Sequence, residues 1–341
     1  MAKSKTQSKA APAVGNYDKE FLLHLLHEML LIRRFEEKAA QMYGLRKIGG
    51  FCHLYNGQEG VAVGSVAAID LSSDYVLTAY RDHGHALACG MDPKVVMAEL
   101  YGKITGCSRG KGGSMHMFDA EKHMLGGNGI VGAQIPVATG VGFAEMYRKN
   151  VMKEKEMGVT LCFFGDGAIH QGSFHESLNL AKIWNLPVIY IVENNHFGMG
   201  TSVKRISSVQ DFDVKAVGYG LPGAVVDGMD VLSVYEAIKK ASAAAKKDGT
   251  ATLLDIKTYR YKGHSMSDPA KYRTRDELEA YQQQDPILLL RVQMAENGMI
   301  DDKAFDKIDE EVKAKVQESV EFAEESDEPA IETMYEDVYV D

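Results

Sequence analysis

The chain is poor in several features that would announce a function. Its four cysteines, Cys52, Cys89, Cys107 and Cys162, show none of the paired spacings of zinc sites or redox dithiols and read as ordinary reduced thiols. No apolar run approaches the roughly 20 residues needed to cross a bilayer, so no membrane span is expected. Positive charge is in deficit: 38 Lys and Arg against 48 Asp and Glu leave a net charge of -10, with no broad basic face for nucleic acid. No apolar segment suited to a secretory signal is seen in residues 1–16, so none is expected there. Residues 1–16 are polar, basic and small, and read as a disordered tail. Their cations are lysines, not the arginines of a mitochondrial presequence, so a bacterial cytoplasm is expected in preference to a mitochondrial matrix. No internal repeat is visible. With 45% hydrophobic residues the remainder, residues 17–341, is expected to build one large α/β domain.

Two familiar nucleotide motifs fail on inspection. Gly110-Lys111 is no Walker loop, because the glycine spacing is wrong and Gly112 stands where Ser or Thr would bind Mg²⁺. The letters of residues 127–132 (GNGIVG) match a dinucleotide fingerprint, but no apolar strand is evident before them and no acidic residue follows at the ribose position. Their glycines suit instead the close approach of a flat ring or a diphosphate to backbone, followed by a tightly packed helix over residues 138–144.

What is present centres on residues 159–202. An apolar run at 159–164 has the pattern of a strand buried on both faces and stops at Gly165-Asp166-Gly167. Phe174, Leu178, Ala181 and Trp184 then recur at helical spacing, with Ser173 placed to cap. A second buried strand at 187–192 ends at Glu193-Asn194-Asn195, before a glycine-bearing loop at 196–200. This is a βαβ unit, so both strands end on one edge of a parallel sheet about 4.8 Å apart, and Asp166 and Asn195 should face one small space. One carboxylate, one amide oxygen and a loop carbonyl cannot cage a cation alone, but suit Mg²⁺ that also binds phosphate oxygens. Open α/β sheets bind ligands at this edge.

Other segments feed the same edge. A helix over residues 17–43 carries Phe21, Leu22, Leu25, Met29, Ile32 and Phe35 on one core stripe. Residues 76–80 form a strand that delivers Arg81, which can pair with a phosphate or with Asp82 or another neighbour. Asp82, His83 and His85 admit a metal-site reading, but histidines this close in a turn usually act as caps or loop hydrogen-bonders. A strand at 252–259 delivers Arg260 to Pro269 to the edge, after a strand and turn at 225–230 and a helix at 231–247. Charged helices at 277–284 and 303–322 close the chain.

Taken with GDG and NN, the segments FCHLYNGQEG, YRDHGH, GKGGSMHM, GGNGIVGAQIP, ENNHFGMGTS and YRYKGHSMSDP resemble the alpha subunit of the pyruvate dehydrogenase decarboxylating component, in the thiamine-diphosphate-dependent 2-oxo acid dehydrogenase family. The likeness spans nearly the whole chain and implies a thiamine-diphosphate-binding fold with helices on both faces of a mainly parallel sheet. It implies Mg²⁺ on Asp166, Asn195 and the Phe197 carbonyl, with Tyr80, Arg81, Gly167 and Ala168 on the diphosphate side. Gly129 and Val131 would meet the aminopyrimidine through backbone, and His53 and His264 would be the active-site histidines. It further implies a beta subunit in an α2β2 heterotetramer, a lipoyl-bearing acetyltransferase component and pyruvate as substrate. Acetoin-cleaving relatives are the runner-up, and a noncatalytic diphosphate-binding subunit would not need both histidines. Glu59 lies in a glycine-flanked loop near His53, but the family places the glutamate that activates the cofactor on the beta subunit. Ser265 is a candidate regulatory position, in a loop at 262–275 expected to be mobile until cofactor orders it. Lys271 stands where the animal enzyme has a second phosphorylatable serine.

Overall fold

The computed structural model describes residues 12–154, 156–336 and 338. Helices α1 (Lys19–Gly44) and α2 (Glu59–Val66) lead into β1 (Tyr75–Ala79), α3 (His83–Ala88), α4 (Pro93–Leu100) and β2 (Met124–Asn128). Then come α5 (Gln134–Asn150), β3 (Thr160–Gly165), α6 (Gly172–Trp184), β4 (Val188–Asn194) and the small hairpin of β5 (Phe197–Gly198) and β6 (Thr201–Ser202). After α7 (Val203–Ile206) and α8 (Asp213–Val217) the chain runs through β7 (Gly223–Asp227), α9 (Val231–Asp248), β8 (Thr252–Lys257), α10 (Arg275–Gln282), α11 (Pro286–Glu296) and α12 (Asp302–Glu325).

Six strands pair in the order β2-β1-β3-β4-β8-β7, every pair parallel. The expected α/β architecture is therefore present, with helices on both faces. Successive residues of each central strand enter different cores. Leu161, Phe163, Ile189 and Ile191 join Leu25 of α1, Val61 of α2 and Leu232 of α9. Cys162, Phe164, Tyr190 and Val192 join Ile135 of α5 and Phe174 and Leu178 of α6. Burial on both faces is why these strands read as unbroken apolar runs and not as alternations. Ala79 pairs with Asn128, Gly165 with Glu193 and Asn194 with Lys257, so the carboxyl ends of five strands lie at one level.

The structure corrects several readings. Residues 1–11 of the expected disordered tail lie outside the described residues, but its end is ordered: Val14–Asn16 is a 3-10 turn and Val14 is buried in the main core. A strand does precede GNGIVG. It escapes notice because β2 is built from Met124, Leu125 and glycines onto which neighbours fold: a Cβ on Gly126 would meet the Phe118 ring at 1.9 Å, and one on Gly127 would meet Asp82 Oδ2 at 1.8 Å. Ser173 is not the cap of α6, which begins one residue earlier with no side-chain cap, and its hydroxyl faces the Gly132 carbonyl instead. Trp184 is half exposed rather than part of the buried stripe. Helix α11 was not anticipated, though Asp285 capping Ile287 and Leu288, with Pro286 at the first position, is a regular helix start.

Glu59 proves to be a structural carboxylate. It is fully buried, accepts from Arg33 Nε and Nη2 at 2.5 and 2.9 Å and from the Gly57 N–H at 2.9 Å. Arg33 Nη2 also reaches Asp285, whose Oδ2 accepts from the Tyr261 hydroxyl, so one ion-paired knot ties α1, α2 and α11. Removing one member of such a knot strands the other charge. Glu59→Ala should cost about 3 kcal/mol of stability, toward the low end for a broken buried pair because Asp285 still faces Arg33. Urea denaturation measures the loss; an unchanged midpoint would show that the knot is not stabilising.

Candidate active site

The carboxyl end of β1 leads through α3 and α4 to β2 on one side, whereas that of β3 leads through α6 to β4 on the other. The crevice between the ends of β1 and β3 is thus a topological switch point, the place where α/β sheets leave room for a ligand. Tyr80 and Arg81 follow β1 here, and Asp166, Gly167 and Ala168 follow β3.

Asp166 is 2% exposed, and its Oδ2 is buried without a hydrogen-bond partner. Burial raises its pKa to about 7, with Arg260 pulling the other way. A carboxylate this costly to ionise is suited to a cation. Asn195, one residue beyond β4, donates through Nδ2 to Gln58 Oε1 at 2.9 Å, which leaves its amide oxygen facing the loop, where the Phe197 N–H lies at 3.4 Å. The β5–β6 hairpin brings that loop onto the β3 turn: a Cβ on Gly198 would stand 3.6 Å from Gly167 Cα and 4.0 Å from Asp166 Oδ1. Asp166, Asn195 and Phe197 are thereby gathered in one place. Among the described residues no group of three or more His, Cys, Asp and Glu side chains is assembled for a metal, so a cation here would depend on one carboxylate, neutral oxygens and its ligand.

Arg81 is buried and directs its guanidinium at two main-chain carbonyls, Leu54 at 2.7 Å and His264 at 2.8 Å. No ion pair joins it to Asp82. Burial, and then the nearby Arg260, lowers its pKa to about 10, which leaves it charged at neutral pH. The two carbonyls belong to the segments that carry His53 and His264, and their rings meet over Tyr80: centroids are 4.6 Å apart for His53 and Tyr80, 5.2 Å for His53 and His264, and 5.5 Å for Tyr80 and His264. From the sequence, Arg260 reaches this edge only as part of its segment. Arg260 lies three residues past the end of β8, as Arg81 lies two past the end of β1, and a pair of arginines just beyond strand ends was the signal available.

Gly129 and Val131 sit on the rim. Val131 and Ile130 are 43% and 77% exposed, and the His116 ring lies 3.2 Å from where a Cβ on Gly129 would be. Ser265 is buried rather than open, its hydroxyl 2.9 Å from that of Ser267. The loop around it is tied down by Met266 N–H to the Cys52 carbonyl, His264 N–H to Asp268, and Tyr272 between Asp268 and Arg260. The metal reading of Asp82, His83 and His85 gives way to hydrogen bonding: His83 holds Glu36, and His85 faces Glu193 at 3.2 Å.

Burial, followed by the charge of Arg81, lowers His53 to about 3 and His264 to about 4. Both are neutral at pH 7 and can each hold or accept a proton through a free Nδ1, which is buried and without partner in both. Because the folded pKa values lie below the unfolded value of about 6.5, these histidines favour the folded state above pH 6.5, and that contribution fades as pH falls toward 4 and 3. Imidazole ¹³Cε1 titration, assigned by loss of signals in His53→Gln and His264→Gln, should place both midpoints at least about two units below that of free histidine. A midpoint near 6.5 for either would show that ring to be solvated.

The sequence compares closely with known proteins. A family model described as dehydrogenase E1 component matches residues 27–332. A pyruvate dehydrogenase E1 component subunit alpha of Rhizobium meliloti (strain 1021) is 48% identical over 338 residues, 99% of this chain and 95% of that protein. Proteins of the same description from Rickettsia bellii (strain RML369-C) and Zymomonas mobilis subsp. mobilis (strain ATCC 31821 / ZM4 / CP4) are 45% and 46% identical, over 96% of this chain and 99% and 92% of their own lengths. A match of this length, over a sheet edge where Asp166, Asn195, Arg81 and two histidines converge, places the chain in the dehydrogenase E1 component family.

Proposed function

We propose that this chain is the alpha subunit of a pyruvate dehydrogenase decarboxylating component, acting in thiamine-diphosphate- and Mg²⁺-dependent oxidative decarboxylation of pyruvate with reductive acetylation of a lipoyl group. The observation that carries the reading is Asp166: a buried carboxylate with one oxygen unpartnered at the sheet's switch point, near an oriented amide and the Arg260 guanidinium. Residues 17–341 act as a single domain in this reading, working in a bacterial cytoplasm. No feature of the site favours an acetoin-cleaving reaction over this one.

The family is thiamine-diphosphate dependent, and that cofactor when bound supplies the electron sink for decarboxylation. This chain's residues supply position and charge. Asp166, Asn195 and the Phe197 carbonyl would hold Mg²⁺, while the Gly167 and Ala168 backbone and Tyr80 border the diphosphate. Arg81 and Arg260 set a positive potential that favours diphosphate and the carboxylate of a 2-oxo acid. His53 and His264, neutral and side by side over Tyr80, are placed to hand protons to and from substrate oxygens and to exclude water with the Tyr80 ring. Gly129 and Val131 would border the aminopyrimidine from an open rim, which leaves the other side of that ring to a beta subunit in an α2β2 assembly. With Glu59 held by Arg33, no free glutamate stands there among the described residues to activate the cofactor, in line with the partner providing it. A lipoyl-bearing acetyltransferase component would receive the acetyl group.

Co-expression with the beta subunit should yield pyruvate-dependent lipoyl acetylation, with the isolated chain inactive; comparable rates from the pure chain would refute the shared site. Asp166→Ala should weaken thiamine-diphosphate binding in the presence of Mg²⁺ by about 100-fold or more, given that lesser outer-sphere changes already cost 10–100-fold. Calorimetric titration decides this, and wild-type affinity in the variant would remove Asp166 from the metal site. Ser265→Glu should lower turnover far more than Ser265→Ala, because a charge placed in this buried position opposes the packed loop and repels diphosphate. Equal turnover in the two variants would rule out control by charge at Ser265.

A further inference from the structure

Behind the two histidines, a line of buried polar contacts runs from α1 to the backbone of His53. Glu36 and His83 are fully buried and Ser114 is 5% exposed. His83 Nδ1 lies 3.1 and 3.0 Å from the two carboxylate oxygens of Glu36, and its Nε2 lies 2.8 Å from Ser114 Oγ. The His53 N–H donates to the same Ser114 oxygen at 3.1 Å, and the Tyr55 N–H donates to Glu36 Oε1 at 2.8 Å.

The proton positions follow from the partners. A ring nitrogen facing two carboxylate oxygens must donate. Burial works against protonating His83, but the Glu36 carboxylate outweighs it and raises the pKa, while Nε2 on the far side of the ring is hydrogen-bonded to Ser114. Ser114 Oγ accepts from the His53 N–H and shares a second hydrogen bond with His83 Nε2. The three residues have the make-up of a Glu-His-Ser triad, but Ser114 is buried and its oxygen is engaged by the main chain of His53, so its place here is that of a hydrogen-bond partner within the packing.

What the line controls, together with Arg81, is three successive main-chain groups. Ser114 holds the N–H of His53, Arg81 holds the carbonyl of Leu54, and Glu36 holds the N–H of Tyr55. With the backbone fixed on both sides, the His53 ring retains only its own side-chain rotations, and these are limited by Tyr80 and His264. We propose that Glu36, His83 and Ser114 are positioning residues, which act through the backbone of residues 53–55 to set the His53 ring and the Arg81 anchor in their reactive places. This rests on the reading of His53 as a group that meets substrate.

A double-mutant cycle in the assembled alpha-beta enzyme tests it. Ser114→Ala should lower kcat per cofactor-loaded site by about 10- to 100-fold, the scale of an ångström-sized misplacement, with the KM for pyruvate changed by less than about threefold. In a His53→Gln background the same change should add almost no further loss, since residues acting as a unit are not additive. Ser319→Ala, which removes a buried hydroxyl bonded to the Val316 carbonyl in α12, is the control and should affect stability without affecting kcat. Fully additive losses, or an unchanged kcat in Ser114→Ala, would overturn the proposal. If Ser114→Ala does not fold, Glu36→Gln takes its place in the cycle with the same expectations. A second arm needs no substrate: in the full chain the His53 imidazole midpoint, followed by ¹³C NMR, should move up toward 6.5 in Ser114→Ala. An unmoved midpoint overturns the positioning role whatever the enzyme's substrate, whereas wild-type enzyme that fails to use pyruvate overturns the functional reading and leaves this arm to judge the contacts.

Discussion

The site depends on one buried cation whose partners are main chain. Arg81 has no carboxylate within reach and instead donates to the carbonyls of Leu54 and His264, residues 210 positions apart in sequence and brought together only by the sheet. A guanidinium satisfied by carbonyls keeps its full charge available to an incoming anion, which one neutralised by Asp82 would not. The same two bonds fix the backbones that present His53 and His264, so the positive potential and the two neutral imidazoles are assembled by a single side chain. Arg260 strengthens this arrangement. It holds the Met199 and Lys262 carbonyls and the Tyr272 hydroxyl, and thereby fastens the β5–β6 hairpin and the loop after β8 to the same edge.

Much of this was legible in the sequence for a physical reason: strands buried on both faces leave long apolar runs, and β3, β4 and β8 each break at a polar cluster. The βαβ unit of β3, α6 and β4 follows directly, and with it the shared location of Asp166 and Asn195. The resemblance to a known family supplied roles for His53 and His264 that spacing alone could not, since these residues are far apart and meet only through tertiary structure.

The parts that were not legible have a common cause. Periodicity reads side chains, and the segment from Gly106 to Gly132 works largely through bare backbone. Strand β2 is invisible to an apolar pattern because Phe118 and Asp82 occupy the space where its own side chains would be. The loop before it looks by composition like a phosphate cradle, yet the N–H groups of Ser108, Gly110, Gly112 and Gly113 all donate to the buried carboxylate of Glu99. An anion nest has formed, and the chain fills it with its own anion from α4. Glycine-rich letters establish that backbone amides can converge, but not on what.

The same reasoning separates the acidic residues of the interior. Glu59 faces Arg33, Glu99 faces four amides, Glu36 faces His83 and accepts from the Tyr55 N–H, and Glu193 accepts from the Tyr55 hydroxyl beside His85. Each of these carboxylates has its charge answered from within the chain. Asp82 and Asp166 are different: each keeps one oxygen unanswered and is raised to about 7, chiefly by burial, but Asp82 accepts from the Met117 N–H through its other oxygen, whereas Asp166 lies just beyond β3 at the open end of the sheet. Of these two, Asp166 is the one at the switch point with Arg260 close by, so under the proposed function it is where a cation from outside would complete the structure and where that cation's anionic ligand would meet positive charge.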